Sequence, residues 1–186
     1  MNVKLMDHPN QEMVCVDNNG KETGQIINRK TAHMTPGIKH FAIQVLVFNT
    51  NNELILHERP AKKVGGDVLD VPTTHVLNGE TPEQAARRCL KVEYNIEEKL
   101  PIKILDGFSY EKDYGDGTCE NEFCLSAFTS YNGEVKPNAE HVNKIVIKPA
   151  SQVIEEFDSK PELYPVWFKE VVAIVLKDEE GKKFFE

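Results

Sequence analysis

A single well-delimited helix among β-rich segments constrains the fold of this chain most strongly. The pattern predicts that the helix begins after Thr81, which can cap the first turn together with Gln84, and that Pro82 occupies the first helical position. Asn95 is suited to the left-handed conformation that ends many helices. The flanking segments are short, apolar and rich in β-branched residues, so we expect an α+β fold with a mixed or antiparallel sheet.

Strands and a second helix can be placed around this central helix. The most apolar segment, 40–48, predicts a central strand, and 53–58 predicts another. An Asn-Gly turn predicts an N-terminal hairpin over about residues 11–28. Apolar residues on one helical face predict a C-terminal helix over about residues 165–177. Further strands are predicted at 102–110, 120–130 and 143–147, a short helix at 150–157, and loops at 31–39, 59–70 and 73–80.

Length and charge limit the functions open to the chain. Its 186 residues predict one domain over 1–186. A net charge of −8 argues against broad binding of nucleic acid or of an anionic membrane. No apolar run approaches the length of a membrane span, and the four cysteines form no CxxC motif, which favours reduced thiols. We therefore expect a cytoplasmic protein, either a monomer or a homodimer.

Five residues in separate segments could form a metal site. Three imidazoles and two carboxylates suit a divalent ion such as Zn, Mn or Fe. Glu120 and Glu122 are two residues apart in a predicted strand, so both project from one face. Taken alone, a Glu-x-Glu pair is more typical of a solvated face, but this pair opens a mainly apolar strand. The candidate ligands are His33, His40, His75, Glu120 and Glu122.

These residues resemble a known family. The paired histidines before the first central strand, the third histidine at 75 and the Glu-Asn-Glu strand resemble the type 1 isopentenyl-diphosphate isomerases of the Nudix superfamily, over about residues 16–175. The resemblance implies a mixed β-sheet sandwich with a central Nudix helix and a C-terminal helix, and a small-molecule diphosphate as substrate. It also implies that all five residues bind one transition metal ion, Zn or Mn.

The resemblance assigns roles to further residues. Glu93 matches the glutamate that joins a Mg ion bridging to the substrate diphosphate, and Tyr110 and Trp167 match aromatic residues that face the substrate. Glu122 matches the glutamate that moves protons, with Tyr110 beside it. Basic residues near the family's diphosphate-binding positions are Arg29, Arg59, Lys62 or Lys63, and Arg88, of which Lys62 fits a solvated surface charge better.

The Nudix box at residues 74–96 departs from that of the hydrolases. Both of its glycines are replaced, and two of its three clustered glutamates are replaced by Cys89 and Val92. Those helix carboxylates hold the catalytic Mg ions of the hydrolases, so the remaining Glu80 and Glu93 are poor equipment for a hydrolytic site with several metal ions. The isomerase branch also lacks these glutamates.

One departure from the isomerases concerns the chemistry itself. The family has a cysteine two residues before the third histidine, where this chain has Thr73. A thiol with a pKa of about 8.5 can exchange its proton near neutrality, whereas an aliphatic hydroxyl can only hydrogen-bond or relay a proton through water. Cys119 is expected to point away from Glu120 and Glu122, and Cys89 is expected to be a packing residue.

Three functions remain open from the sequence. The first is an isopentenyl-diphosphate isomerase that uses Glu122 and Tyr110, with Thr73 in an auxiliary role. The second is a Nudix hydrolase that cleaves a diphosphate bond in a nucleotide or prenyl diphosphate. The third is a diphosphate-binding protein without catalytic activity. The five candidate metal ligands favour the first and third, and Thr73 favours the second and third.

Overall fold

The structure, a computed structural model, describes residues 10–186. Its helices pack around a branched sheet of nine strands. The strands are β1 Glu12–Val16, β2 Glu22–Asn28, β3 His40–Phe48, β4 Glu53–Glu58, β5 Leu69–Asp70, β6 Thr73–His75, β7 Lys103–Asp113, β8 Cys119–Ser130 and β9 Lys144–Pro149. The α-helices are α1 Arg29–Ala32, α2 Pro82–Tyr94, α3 Ala150–Ser159 and α4 Phe168–Lys177.

The sheet is organised around β3, which is buried along its whole length. This strand pairs in parallel with β8 and antiparallel with β1, β4 and β6. Outer pairs extend the sheet, β1 with β2, β7 with β8, and β4 with β5 and β9. One parallel pair among antiparallel pairs makes the sheet mixed, which confirms the expected fold class.

Two apolar cores lie on opposite faces of the sheet. Alternate residues of β3 divide between them, with Ile43 and Val45 packed in the core that contains α2, and Leu46 and Phe48 packed in the core that contains α3 and α4. This division follows from the alternation of side chains along a strand. Over residues 10–186, none of the helices combines the length and apolarity that spanning a bilayer requires.

The ends of α2 confirm the expected capping. The Thr81 hydroxyl accepts a hydrogen bond from the Gln84 amide at 3.2 Å, and the Gln84 side chain accepts one from the Thr81 amide at 2.8 Å. Asn95 ends the helix at φ 56° and ψ 34°. This left-handed conformation explains how asparagine serves where the Nudix box has glycine.

Four local expectations were wrong. Leu69–Asp70, expected at the end of a loop, forms β5 because β4 offers it antiparallel pairing. Residues 73–75 are not part of a loop, because they form β6 on the edge of β3. Arg29–Ala32 forms a one-turn helix that extends into the loop expected from residue 31, because the Asn28 side chain accepts a hydrogen bond from the Thr31 amide. The C-terminal helix begins at Phe168, three residues later than expected, after a turn that follows Pro165.

Candidate active site

The five candidate metal ligands converge at one end of the sheet. β3 supplies His40, β6 supplies His75, β8 supplies Glu120 and Glu122, and His33 follows directly after α1. One ligand atom from each lies within 4.8 Å of every other, and all five residues are buried. In the parallel register His40 lies directly beside Glu122, which explains how distant segments of the sequence meet.

The hydrogen bonds of two histidines prepare them to bind a cation. His33 Nδ1 lies 3.0 Å from the Arg29 carbonyl oxygen, and His40 Nδ1 lies 2.8 Å from the Ile38 carbonyl oxygen. Because a carbonyl only accepts, each Nδ1 carries a proton, and each Nε2, which faces a glutamate oxygen, is the nitrogen left to bind a cation. Glu120 Oε2 is buried and lies 3.1 Å from His33 Nε2. Three neutral imidazoles and two carboxylates would balance the charge of one divalent ion, so the residues fit the metal that the resemblance implies.

His75 is held differently from the other two histidines. Its Nδ1 lies 3.1 Å from a guanidinium nitrogen of Arg29, which can only donate, and its Nε2 lies 3.2 Å from Glu122 Oε1. Burial and then the Arg29 charge lower the pKa of His75 well below its ordinary value. Binding of a cation through Nε2 requires the proton on Nδ1, and Arg29 could then no longer donate to this ring.

Glu122 is the most heavily contacted carboxylate of the site. Tyr110 donates a hydrogen bond to Oε2 at 2.5 Å, while Oε1 lies 3.2 Å from Nε2 of both His40 and His75. Burial alone would raise the pKa of Glu122, but its contacts with these two imidazoles outweigh burial and lower it well below the ordinary value. Burial, reinforced by the Glu122 charge, raises the pKa of Tyr110 well above its ordinary value. The pair is therefore a carboxylate and a phenol at neutral pH.

A small cavity opens beside the cluster, and its walls carry positive charge. Arg29, Arg59 and Lys63 line the cavity together with Thr73, Thr74, Tyr110, Trp167 and four of the metal-ligand candidates. The Arg59 guanidinium lies 5.6 Å from the centroid of the Trp167 ring, in a cation–π contact. Against a net charge of −8 for the whole chain, this local concentration of cations is what a small anionic ligand requires.

Glu93 lies next to this basic group. Its Oε1 accepts a hydrogen bond from Lys63 Nζ at 2.8 Å, both residues are buried, and its Oε2 has no hydrogen bond. Burial alone would raise the pKa of Glu93, but Lys63 and then His57 lower it below the ordinary value. A buried carboxylate oxygen without a donor is available to a cation, as the sequence interpretation expects for this glutamate.

The structure does not bring Arg88 into the cavity. Its guanidinium contacts both Glu80 oxygens, at 2.7 and 2.8 Å, and donates to the Thr74 hydroxyl at 3.0 Å and to the His75 carbonyl at 2.8 Å. These contacts join α2 to β6 and hold the strand that carries His75. Because its donors are used in this way, we place Arg88 among the supporting residues and not among those that contact a ligand.

Thr73 lies in the cavity wall at the position where the resemblance expects a cysteine. Its hydroxyl donates to the Val71 carbonyl at 2.8 Å, so it can offer only its lone pairs to a ligand. Among residues 10–186, no cysteine lines the cavity in place of the missing thiol. Cys89, Cys119 and Cys124 are all buried and none lines the cavity. Burial raises the pKa of Cys124 well above its ordinary value, although this residue shares the face of Glu122 on β8.

Sequence reasoning missed residues that support or extend the site. Asp70 accepts from Arg59 at 3.3 Å and from the Trp167 indole at 3.4 Å, and thereby fixes two residues of the cavity wall. Burial raises its pKa to about 6 against the opposing charge of Arg59. Gln44 and Ser126 are fully buried on the face that carries the site. Gln44 could have been noticed as the one polar residue in an otherwise apolar segment, 41–48.

Comparison with known proteins identifies relatives over most of the chain. A Corynebacterium diphtheriae protein named isopentenyl-diphosphate Delta-isomerase is 30% identical over 165 residues, which cover 85% of this chain and 89% of that protein. A Haloarcula marismortui protein of the same name is 27% identical over 170 residues, covering 88% of this chain and 90% of that protein.

Solved structures share the fold at lower sequence identity. A crystal structure of a Deinococcus radiodurans protein superposes with a TM-score of 0.68 at 18% identity, covering 88% of this chain and 99% of that one. A MutT protein from Methanosarcina mazei gives a TM-score of 0.58 at 14% identity, covering 78% of this chain and 92% of that one. Residues 38–167 match the NUDIX domain. The chain therefore belongs to the Nudix family.

Proposed function

We propose that this protein is a metal-dependent isomerase that interconverts isopentenyl diphosphate and dimethylallyl diphosphate, or a closely related pair of small diphosphates. The observation that carries the proposal is the buried cluster of three histidines and two glutamates beside a basic cavity. The relatives named isopentenyl-diphosphate Delta-isomerase support the same reaction class.

In this proposal two metal sites are formed by different residues. One divalent transition ion, Zn or Mn, would be held by His33, His40, His75, Glu120 and Glu122. The free Oε2 of Glu93 would contribute to binding a Mg ion that accompanies the diphosphate. When bound, these ions supply positive charge that fixes carboxylates and neutralises the diphosphate.

The cationic residues of the cavity bind the substrate's charged end. Arg29, Arg59 and Lys63 offer donors suited to diphosphate oxygens. Lys63 can exchange its Glu93 contact for the ligand, while Asp70 keeps Arg59 and Trp167 in place. Trp167 and Tyr110, whose ring centroids are 5.4 Å apart, then shield the carbon end from water.

Glu122 is the proposed residue that moves protons. Isomerisation adds a proton to the terminal alkene carbon and removes another from the carbon next to the ester-bearing carbon, so it needs an acid and a base. The Glu122 carboxylate and the Tyr110 phenol are joined by a hydrogen bond and both line the cavity. Thr73 has the auxiliary role of accepting a hydrogen bond, because its hydroxyl cannot supply a proton as a thiol does.

Two alternative functions, a hydrolase and a binding protein without activity, are each supported by a specific observation. A hydrolase is consistent with the family, but Cys89 and Val92 remove two carboxylates from the Nudix helix, and Val92 is exposed at its surface. A binding protein without activity is consistent with Thr73. Incubation with isopentenyl diphosphate and Mg, with allylic product and released phosphate measured together, separates all three. Allylic product without phosphate supports the isomerase, phosphate supports the hydrolase, and tight Mg-dependent binding without either product supports the binding protein.

A further inference from the structure

A line of three polar side chains crosses the sheet below the metal cluster. Gln44 on β3 is directly opposite Thr73 on β6 and directly beside Ser126 on β8. Side chains in such register project from one face of a sheet. This is the face of the site, because His40 on β3 and Glu122 on β8 lie four residues before Gln44 and Ser126. We call Thr73, Gln44 and Ser126 the polar row.

The polar row is buried without internal partners at two of its three positions. Gln44 and Ser126 are both 0% exposed. Neither the amide nitrogen nor the amide oxygen of Gln44 has a hydrogen bond, and the Ser126 hydroxyl has none either. Buried polar groups are normally hydrogen-bonded, because leaving them unpaired costs their lost hydration. Packing alone would favour an apolar residue here, as at the next positions on the same face, Leu46 and Phe128.

The row reaches the cavity through Thr73, while Gln44 and Ser126 continue the row across the sheet and do not themselves line the cavity. Thr73 is a member of the row and also lines the cavity, and its hydroxyl already donates to the Val71 carbonyl, which leaves it as an acceptor. A diphosphate on Arg29, Arg59 and Lys63 would direct its carbon end towards the remaining wall, where Thr73 lies. A purely hydrocarbon end would leave the Gln44 amide and the Ser126 hydroxyl without partners, whereas a hydroxyl on the carbon end can both donate and accept.

We infer that the polar row is a specificity subsite, and that the preferred substrate is a small diphosphate whose carbon skeleton carries a hydroxyl group. The inference rests on the proposed function, since it assumes that the diphosphate binds at the basic wall. In this assignment Gln44 and Ser126 determine which carbon end is accepted, while Glu122 performs the same proton transfers. The reaction stays an isomerisation: one proton is added to the terminal alkene carbon, one is lost from the allylic carbon, and the hydroxyl is unchanged.

The test compares two probes that differ only in the hydroxyl. These are isopentenyl diphosphate and 3-(hydroxymethyl)but-3-enyl diphosphate, offered together in equal amounts with Mg and followed by NMR. Binding of each probe alone is measured by calorimetry, so that the subsite is tested even if turnover is absent. We expect the parent protein to prefer the hydroxylated probe by at least about tenfold, because a site built for a hydroxyl rejects an analogue that lacks one.

Variants of the row should weaken or abolish this preference. Gln44→Leu and Ser126→Ala remove the unpaired groups with little change in shape, and we expect the preference to fall by about tenfold or more in the Gln44→Leu variant. The matched controls are Gln25→Leu and Ser130→Ala, which make the same changes at exposed positions of β2 and β8. Thermal melting verifies that all four variants are folded. Because Gln44→Leu removes a buried unpaired amide, it should melt no lower than the parent.

The outcomes separate the inference from the proposed function. The subsite is overturned if the parent binds isopentenyl diphosphate as tightly as the hydroxylated probe or more tightly, and the Gln44→Leu variant shows the same ratio of affinities. The polar row would then be assigned to contacts with enclosed water. Preferential binding of the hydroxylated probe without turnover of either probe supports the subsite and contradicts the isomerase. Turnover of isopentenyl diphosphate alone supports the isomerase and contradicts the subsite.

Discussion

Tyr110 donates a hydrogen bond to Glu122 over 2.5 Å, from the strand next to the one that carries the glutamate. The register of β7 and β8 places the two residues directly opposite each other, so the contact is fixed by the sheet. The pKa of Glu122 is lowered and that of Tyr110 is raised, which keeps a charged acceptor next to a neutral donor near neutral pH. Such a pair places one group that can accept a proton and one that can donate a proton next to a substrate.

Glu122→Gln should abolish isomerisation. The amide keeps the size of the side chain but cannot accept a proton, so we expect kcat to fall by at least about a hundredfold, the usual contribution of a positioned acid or base. The measurement is the initial rate of allylic product formation by NMR. Glu155→Gln, an exposed change on α3, is the matched control and should leave the rate unchanged. A Glu122→Gln variant as fast as the parent would remove this residue from the mechanism.

Thr73→Cys should raise isomerase activity. A thiol with a pKa of about 8.5 can exchange a proton that the Thr73 hydroxyl holds too tightly, and we expect a gain of about tenfold or more in kcat. Thr73→Ser is the control for size and hydroxyl chemistry, and it should not show the gain. Rates measured with both variants and the parent, under identical Mg and substrate, test this. Equal rates for the cysteine and serine variants would contradict a proton-transfer role at this position.

Freshly purified protein should contain close to one transition metal ion per chain by elemental analysis. Because a ligand of the folded state stabilises it, stripping the ion with a chelator should lower the melting temperature, and Zn or Mn should restore it. In a His33→Gln variant the same chelator should have little effect, since one of the five ligands is already lost. Absence of metal from the parent, even after reconstitution with Zn or Mn, would exclude the cluster as a metal site.

Lys63 and Glu93 should be strongly coupled in stability. Removing Lys63 alone, as Lys63→Met, leaves a buried carboxylate without its partner, and we expect a loss of about 3 kcal/mol in the free energy of unfolding. The double variant Lys63→Met/Glu93→Gln should recover much of this loss, because it buries no unpaired charge. Urea unfolding of the parent, both single variants and the double variant measures the coupling. A loss in the double variant equal to the sum of the single losses would contradict it.

The same coupling should depend on pH in a defined direction. The pKa of Glu93 is lowered in the folded protein from an ordinary value of 4.5. A carboxyl of this kind stabilises the fold above its unfolded pKa, and the contribution is lost as the pH falls through its folded pKa. The Lys63–Glu93 coupling energy should therefore be constant near neutrality and decrease below pH 4.5. A coupling that grows on acidification would contradict this assignment.

Much of the fold could be predicted because local signals agreed with it. The bounds of β3 and β4 and both caps of α2 follow from apolar runs and capping residues that act locally. β6 could not be predicted in this way. Its three residues, Thr73–His75, become a strand only because the edge of β3 offers them hydrogen bonds, and that edge is set by residues far away in the sequence.

In the site, too, the sequence identifies residue types, whereas their contacts depend on the folded structure. Matching residue types to a known family brought together the five metal-ligand candidates, and the structure places them within 4.8 Å of one another. Arg88 matched the same family equally well, yet its guanidinium is engaged by Glu80 and by β6. A pattern identifies a charge but not its partners. Gln44 shows the opposite case, since its significance depends on the lack of partners within a buried face.

The proposed isomerase moves protons on a diphosphate-bearing alkene without cleaving the diphosphate. The most direct test is incubation with isopentenyl diphosphate and Mg in deuterated water, followed by proton, deuterium and phosphorus NMR. We expect an allylic product with deuterium in the new methyl group, exchange at the allylic carbon, and an intact diphosphate, and we expect the Glu122→Gln variant to form no such product. Release of phosphate or a monophosphate with no deuterium on carbon would contradict it.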